Sequence, residues 1–241
     1  MPGPSVSSPT YTPPEAQARP GLPPSVRQAR GLLALALDLI FPPRCAGCGR
    51  VDVRWCDRCQ RSLEAVPSAA RVALRPPLTA AAATGAHDGL LQRAIWALKF
   101  DNGRCLAGPL GDRLAARLGA LGWPADIIVP VPLHPARLAE RGYNQAQLLA
   151  ERLAAAAGLP CVPDALSRQR QTQSQVGLDH VQRQANMSGA FAAQPEAVAG
   201  RSVLVLDDVY TTGSTLAACA EAALAAGARA VYGLTVTAAR G

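Results

Sequence analysis

The spacing of apolar positions separates a featureless beginning from a regular remainder. Residues 1–27 are rich in Pro, Ser and Gly and show no apolar period, so a disordered tail is expected there. In residues 31–41 (GLLALALDLIF), Leu32, Leu35, Leu39 and Ile40 fall near helical spacing and predict a short amphipathic helix. Residues 62 to about 84 form an Ala/Pro-rich connection with room for one strand. Helical spacing then runs through 88–100 and 106–121, and 126–131 (DIIVPV) suits a short buried strand. A helix is expected over 144–157, stopped by Gly158 and Pro160. It is followed by a strand over 203–206, a helix over 214–226 ended by Gly227, and a last strand over 230–237. Strands alternating with helices predict an α/β fold, a parallel sheet covered on both faces. No internal repeat is apparent.

At 241 residues the chain holds one domain, or one with a small appendage. We expect the tail over 1–27, a short helix with a cysteine module over 28–66, and the main domain over 67–241. The net charge is +7, yet charged residues make up only 17%, which implies a basic patch on a globular surface and excludes a polyelectrolyte. Lys99 is the only lysine; every other positive side chain is arginine. The apolar run in 31–41 is about half of the roughly 20 residues a membrane span requires and contains Asp38, so no span is expected. Arg27 and Arg30 precede that run, but no small-residue cleavage site follows it, and a cytoplasmic location is expected.

Cys45-Ala-Gly-Cys48 and Cys56-Asp-Arg-Cys59 are two CxxC pairs seven residues apart. Each pair can present two thiolates from a tight knuckle to a tetrahedral metal, and Gly47 and Gly49 supply the turn. Structural Zn2+ is the reading this spacing favours; an iron–sulfur cluster and a redox dithiol are the alternatives. Four thiolates leave no open coordination position, so no catalysis is expected there. Cys105, Cys161 and Cys219 stand alone and read as small buried side chains.

The richest segment is VLVLDDVYTTGST, residues 203–215. An apolar strand ends in the adjacent carboxylates Asp207 and Asp208, at the edge where ligands bind in open α/β sheets. A hydroxyl-rich loop then opens into a helix, offering backbone N–H groups, the hydroxyls of Thr211, Thr212, Ser214 and Thr215, and a helix dipole to a phosphate. It lacks the Gly-Lys-[Ser/Thr] of a Walker A loop. Carboxylates beside a phosphate cradle make sense when the ligand also carries a diol or brings Mg2+, as a sugar phosphate does.

This segment resembles the 5-phosphoribosyl-1-pyrophosphate (PRPP) motif of type I phosphoribosyltransferases. The resemblance implies that Asp207 and Asp208 hold the ribose hydroxyls and act as the catalytic acids, and that Val209, Tyr210, Thr211, Thr212, Gly213, Ser214 and Thr215 bind the 5′-phosphate, with Mg2+ accompanying PRPP. A second stretch, VPVPLHPARLAERGYNQ over 129–145, is similar to the signature of the ComF/GntX family of competence-associated phosphoribosyltransferase-like proteins. The N-terminal CxxC pairs, the segment Leu98-Lys99-Phe100 and the polar run from Thr172 to Phe191 follow the same order as in that family, so the resemblance covers roughly residues 32–241. It implies a type I phosphoribosyltransferase-like fold with a zinc knuckle, single-stranded DNA entering the cytoplasm as a partner, and a DNA-translocating helicase-type ATPase as another.

The remaining residues fit around that site. Arg137 and Arg141, after the strand at 126–131, suit pyrophosphate, with solvation of an exposed face as the plainer alternative. Lys99 is a candidate phosphate contact or a surface lysine, and His134 a candidate proton donor. Residues 167–188 read as a mobile loop closing over PRPP, with Arg168, Arg170 and Arg183 adding charge, or as a simple connection. Two functions follow: a transferase moving ribose 5-phosphate from PRPP to an unknown acceptor, and a nucleotide-binding module that handles single-stranded DNA. No base-recognition element is read after the last strand, which favours the second. Aromatic residues are only 4%, with Trp55, Trp96 and Tyr143 as candidate stacking groups, so modest, salt-sensitive DNA binding is expected.

Overall fold

The structure is a computed structural model that describes residues 42–70, 72–169 and 189–239. The expected tail, the helix over 31–41, and Arg170 and Arg183 lie outside the described residues.

A four-stranded parallel sheet forms the centre, in the order β1 (Ala80–Ala86), β6 (Ala230–Ala238), β5 (Ser202–Tyr210), β2 (Ile127–Pro130). Between them run α2 (Gly89–Phe100), α3 (Ala107–Leu121), α4 (Pro135–Arg141), α5 (Gln145–Ala157) and α7 (Ser214–Ala225). A small antiparallel pair, β3 (Leu166–Arg168) with β4 (Phe191–Ala193), precedes the four-residue α6 (Pro195–Val198). Strand β5 shows why the sheet is buried on both sides. Leu204 and Leu206 join a core with Leu98, Leu110, Leu114 and Leu153 from α2, α3 and α5, while Val203 and Val205 join a second core with Leu216, Cys219 and Phe191 from α7 and β4. Successive side chains of a strand point to opposite faces, so an unbroken aliphatic run requires two covers. The α/β class, a parallel sheet flanked by helices, is thus the observed one.

Two local outcomes differ from the sequence reading, and the one strand allowed in the Ala/Pro-rich connection forms at its end. Strand β1 (AAAATGA) carries little intrinsic strand preference; it forms because β6 offers a full ladder from Ala80↔Tyr232 to Ala86↔Ala238. The segment expected as a loop after β2 contains α4, which starts on Pro135 and is capped by His134, whose Nδ1 accepts the Ala136 N–H at 3.2 Å. His134 therefore acts as a helix cap. Strand β5 does not stop at the carboxylates but pairs with β6 as far as Tyr210↔Ala238.

The cysteine segment adds α1 (Asp57–Glu64), with Cys56 at its N-cap. Arg113 of α3 ties this module to the sheet. Its guanidinium donates to the carbonyls of Leu63 in the last turn of α1 and of Val66 and Pro67 just after it, and to the hydroxyl and carbonyl of Thr84 in β1, at 2.7–3.2 Å. The module and the sheet belong to one compact unit, Pro43–Gly241.

Candidate functional site

Asp207 and Asp208 sit near the C-terminal end of β5, next to the sheet's other central strand. Asp207 is partly exposed and its Oδ1 accepts the Asp208 N–H at 2.8 Å. Asp208 is buried, 3% exposed, and its Oδ1 lies 2.9 Å from Lys99 Nζ. Its second oxygen, Oδ2, is buried without a hydrogen-bond partner. A buried carboxylate oxygen left in that condition is costly, and such atoms mark places where a ligand, ion or water completes the shell. Burial, followed by the charge of Asp208, pushes the Asp207 carboxyl up to about 7. His87, just after β1, places Nδ1 2.8 Å from Thr237 Oγ1, and that hydroxyl reaches the Asp208 carbonyl at 3.5 Å. Burial, then the Lys99 charge, lowers its proton affinity.

The hydroxyl loop follows directly. Val209 and Thr211 face a cavity of about 540 Å3 that also touches His87 and Lys99. Tyr210 turns inward, 4% exposed, and its hydroxyl donates to the Ala73 carbonyl, so it props the loop from below. Gly213 closes the turn at φ +77°, and a Cβ there would stand 2.2 Å from the Tyr210 hydroxyl oxygen. Only glycine meets both conditions. Thr212 and Ser214 share a hydroxyl–hydroxyl bond of 2.8 Å where α7 begins, and the first amides of a helix have no intrahelical acceptor. Thr215 is partly exposed in that first turn.

Cations gather on the other side of Lys99. Lys99, Arg137, Arg141 and Tyr143 line a cavity of about 450 Å3, with Glu140 among its walls. The Arg141 guanidinium lies 5.2 Å above the Phe100 ring and donates to Gln145 Oε1. Arg168, on β3, stacks 5.5 Å over Phe191; burial and then the Arg137 charge lower its proton affinity, and Asp207 acts on it from the opposite sign. The structure thus brings Asp207, Asp208, Lys99, Val209 and Thr211 together and places Arg137 and Arg141 in the adjoining cavity. Sequence reasoning missed His87 and Phe100. Phe100 was legible as the i+4 partner of Trp96 on α2; His87 was not, because it follows the weakly marked β1.

The four sulfur atoms of Cys45, Cys48, Cys56 and Cys59 lie within 4.8 Å of one another and can hold one metal ion. Cys45 and Cys56 Sγ are 3.6 Å apart, Cys48 and Cys56 3.7 Å, close to the about 3.8 Å edge of a tetrahedron with Zn–S bonds of about 2.3 Å. Gly47 is required here as well, since a Cβ would meet Cys59 Sγ at 2.5 Å. Arg50's backbone N–H pulls the Cys48 thiol down to about 6, whereas burial pushes the Cys59 thiol up. Leu90, on the first turn of α2, packs against the cluster at one end of the helix that carries Lys99 near the other.

A parallel sheet with an acidic strand end, a hydroxyl loop opening into a helix, and a four-cysteine module define a type I phosphoribosyltransferase-like domain with an N-terminal knuckle. No protein-family model matches the sequence. Over 182 residues, however, it is 33% identical to Competence protein F of Haemophilus influenzae, covering 72% of this chain and 75% of that protein. Over 195 residues it is 32% identical to DNA utilization protein YhgH of Escherichia coli K12, covering 78% and 85%. The chain belongs to the ComF family. Among solved structures, the glutamine PRPP amidotransferase of B. subtilis, complexed with ADP and GMP, overlaps 54% of this chain and 26% of its own at 21% identity and a TM-score of 0.38. No described helix is long and apolar enough to cross a membrane.

Proposed function

We propose that this protein acts in DNA uptake, binding PRPP or a 5′-phosphorylated nucleotide with Mg2+ at the Asp207/Asp208 edge and handling incoming single-stranded DNA in the cytoplasm. The observation that carries this reading is the buried Asp208, one oxygen on Lys99 and the other without a partner, at a strand end that runs into a hydroxyl loop. Ribose hydroxyls donate to such carboxylates, and the loop amides and hydroxyls of residues 211–215 take the 5′-phosphate. The relatives named for competence and DNA utilization supply the biological setting. The cysteine module holds structural Zn2+ in this account, and a helicase-type ATPase is the partner that would deliver the strand.

A second reading, an active phosphoribosyltransferase, draws support from the cavity of Lys99, Arg137 and Arg141, whose charges suit a departing pyrophosphate. Calorimetric titration of the metal-loaded protein with PRPP/Mg2+, and separately with short single-stranded DNA bearing or lacking a 5′-phosphate, tests the proposal. Binding of PRPP that disappears in Asp207→Asn/Asp208→Asn supports it. Absence of binding by both PRPP and the phosphorylated strand would refute it, and pyrophosphate release with an added acceptor would select the transferase.

A further inference from the structure

Helix α2 is buried along Leu91, Ala94, Ile95, Ala97 and Leu98, and its outer face carries Gln92, Arg93, Trp96, Lys99 and Phe100. Trp96 and Phe100 are 60% and 64% exposed, whereas the other two stacking candidates are already engaged. Trp55 packs against the cysteine cluster and donates Nε1–H to Gln60 Oε1; Tyr143 is 8% exposed, donates to the Leu98 carbonyl and lies under Arg104. The Trp96 and Phe100 centroids are 5.7 Å apart at a 48° tilt, and Arg141 covers Phe100. The result is a row of guanidinium, ring and ring along the wall between the two cavities, which share Lys99 and Phe100. The cavity on the Trp96 side, about 540 Å3, also reaches Arg93, His87 and Thr211.

Two exposed rings on a surface ask for a planar apolar occupant, and their neighbours say of which charge. The helix itself bears Arg93 and Lys99 and no acid; Lys99 is paired with Asp208, and in the adjoining cavity Arg137 and Arg141 outnumber Glu140. Unpaired nucleobases offer π-faces to stack, and their backbone offers phosphates to the flanking cations. A duplex keeps its bases inside and cannot use the rings.

We propose that the Trp96–Phe100 face is the stacking surface for unpaired bases of single-stranded DNA, leading the strand onto the Lys99–Asp208 edge. The proposal rests on the DNA-handling reading above and adds to it the place where bases are held. His87, whose Nδ1 is engaged by Thr237, leaves Nε2 as a hydrogen-bond group for a base edge in the same cavity.

Fluorescence anisotropy with a labelled twenty-nucleotide oligo-dT and its duplex, on metal-loaded full-length protein, tests it. The parent is expected to prefer the single strand, and Trp96→Ala/Phe100→Ala to lose tenfold or more in single-strand affinity while keeping the salt dependence unchanged. Trp96→Tyr restores most of the affinity, which a merely structural role would not do. PRPP/Mg2+ titration of the parent reports on the phosphate site independently of the oligonucleotide, so failure of the platform and failure of the phosphate site are separable. Unchanged oligo-dT affinity in the double variant overturns the proposal, as does a parent that binds no single strand. A double variant that binds oligo-dT like the parent but loses self-association on a sizing column assigns the face to a second copy and likewise overturns it.

Discussion

Replacing Lys99 by methionine takes away the ammonium 2.9 Å from Asp208 Oδ1 and leaves a carboxylate whose side chain is only 4% exposed. Its other oxygen already lacks a partner, so the whole group is then buried and uncompensated. Breaking a buried ion pair by removing one member costs about 3–5 kcal/mol. Because the Lys99 side chain is 23% exposed and water reaches the pair from that side, screening brings the cost below that range, to about 2–3 kcal/mol. For a domain of this size that lowers Tm by about 4–12 °C. Adding Asp208→Asn removes the stranded charge, so the double variant recovers most of the loss, with a coupling of about 2 kcal/mol. Urea unfolding of the metal-loaded proteins, followed by tryptophan fluorescence, measures all three differences. A Lys99→Met variant within about 0.5 kcal/mol of the parent, or a double variant no better than the single, refutes the reasoning.

Other outcomes follow from the same geometry. An acid whose folded-state proton affinity is raised holds a proton that the unfolded chain has already released; with Asp207 at about 7, stability of the ligand-free protein falls as pH climbs from about 4 to 7. Asp207→Asn should remove that slope in pH-resolved thermal melts, and PRPP/Mg2+ affinity in the parent should rise through pH 7 as the carboxylate forms. Gly213→Ala forces a Cβ against Tyr210 at a left-handed φ and should cost about 2 kcal/mol together with PRPP binding, read by melting and calorimetry. Arg113→Met strips donors from four carbonyls and Thr84 and should destabilise by about 2–4 kcal/mol in urea unfolding. Zinc analysis should return one ion per chain; Cys59→Ser should lose it and shift Trp55 emission to the red, because that indole packs on the cluster.

The parts of this structure that could be read from the sequence are those whose signal is local. The aliphatic run before Asp207 needs a buried parallel strand wherever it lies, and the paired CxxC spacing carries its own geometry. Strand β1 has alanines where β-branched residues would speak, and only its ladder to β6 defines it. The inward turn of Tyr210 was equally hidden, since its position in the hydroxyl run says nothing of the Ala73 carbonyl beneath it, which comes from 137 residues earlier in the chain. The Lys99–Asp208 pair joins a helix and a strand far apart in sequence. A lone lysine was conspicuous, but its partner could come only from the fold.

Thermal denaturation with and without PRPP/Mg2+ tests the central claim most directly. Ligand at about a hundred times its Kd stabilises the folded state by about 2.7 kcal/mol, or roughly 5–11 °C in Tm for a domain of this size. The parent should show that shift, and Asp207→Asn/Asp208→Asn none. An equal shift in both proteins, or none in the parent with either millimolar PRPP or the 5′-phosphorylated strand, contradicts that claim.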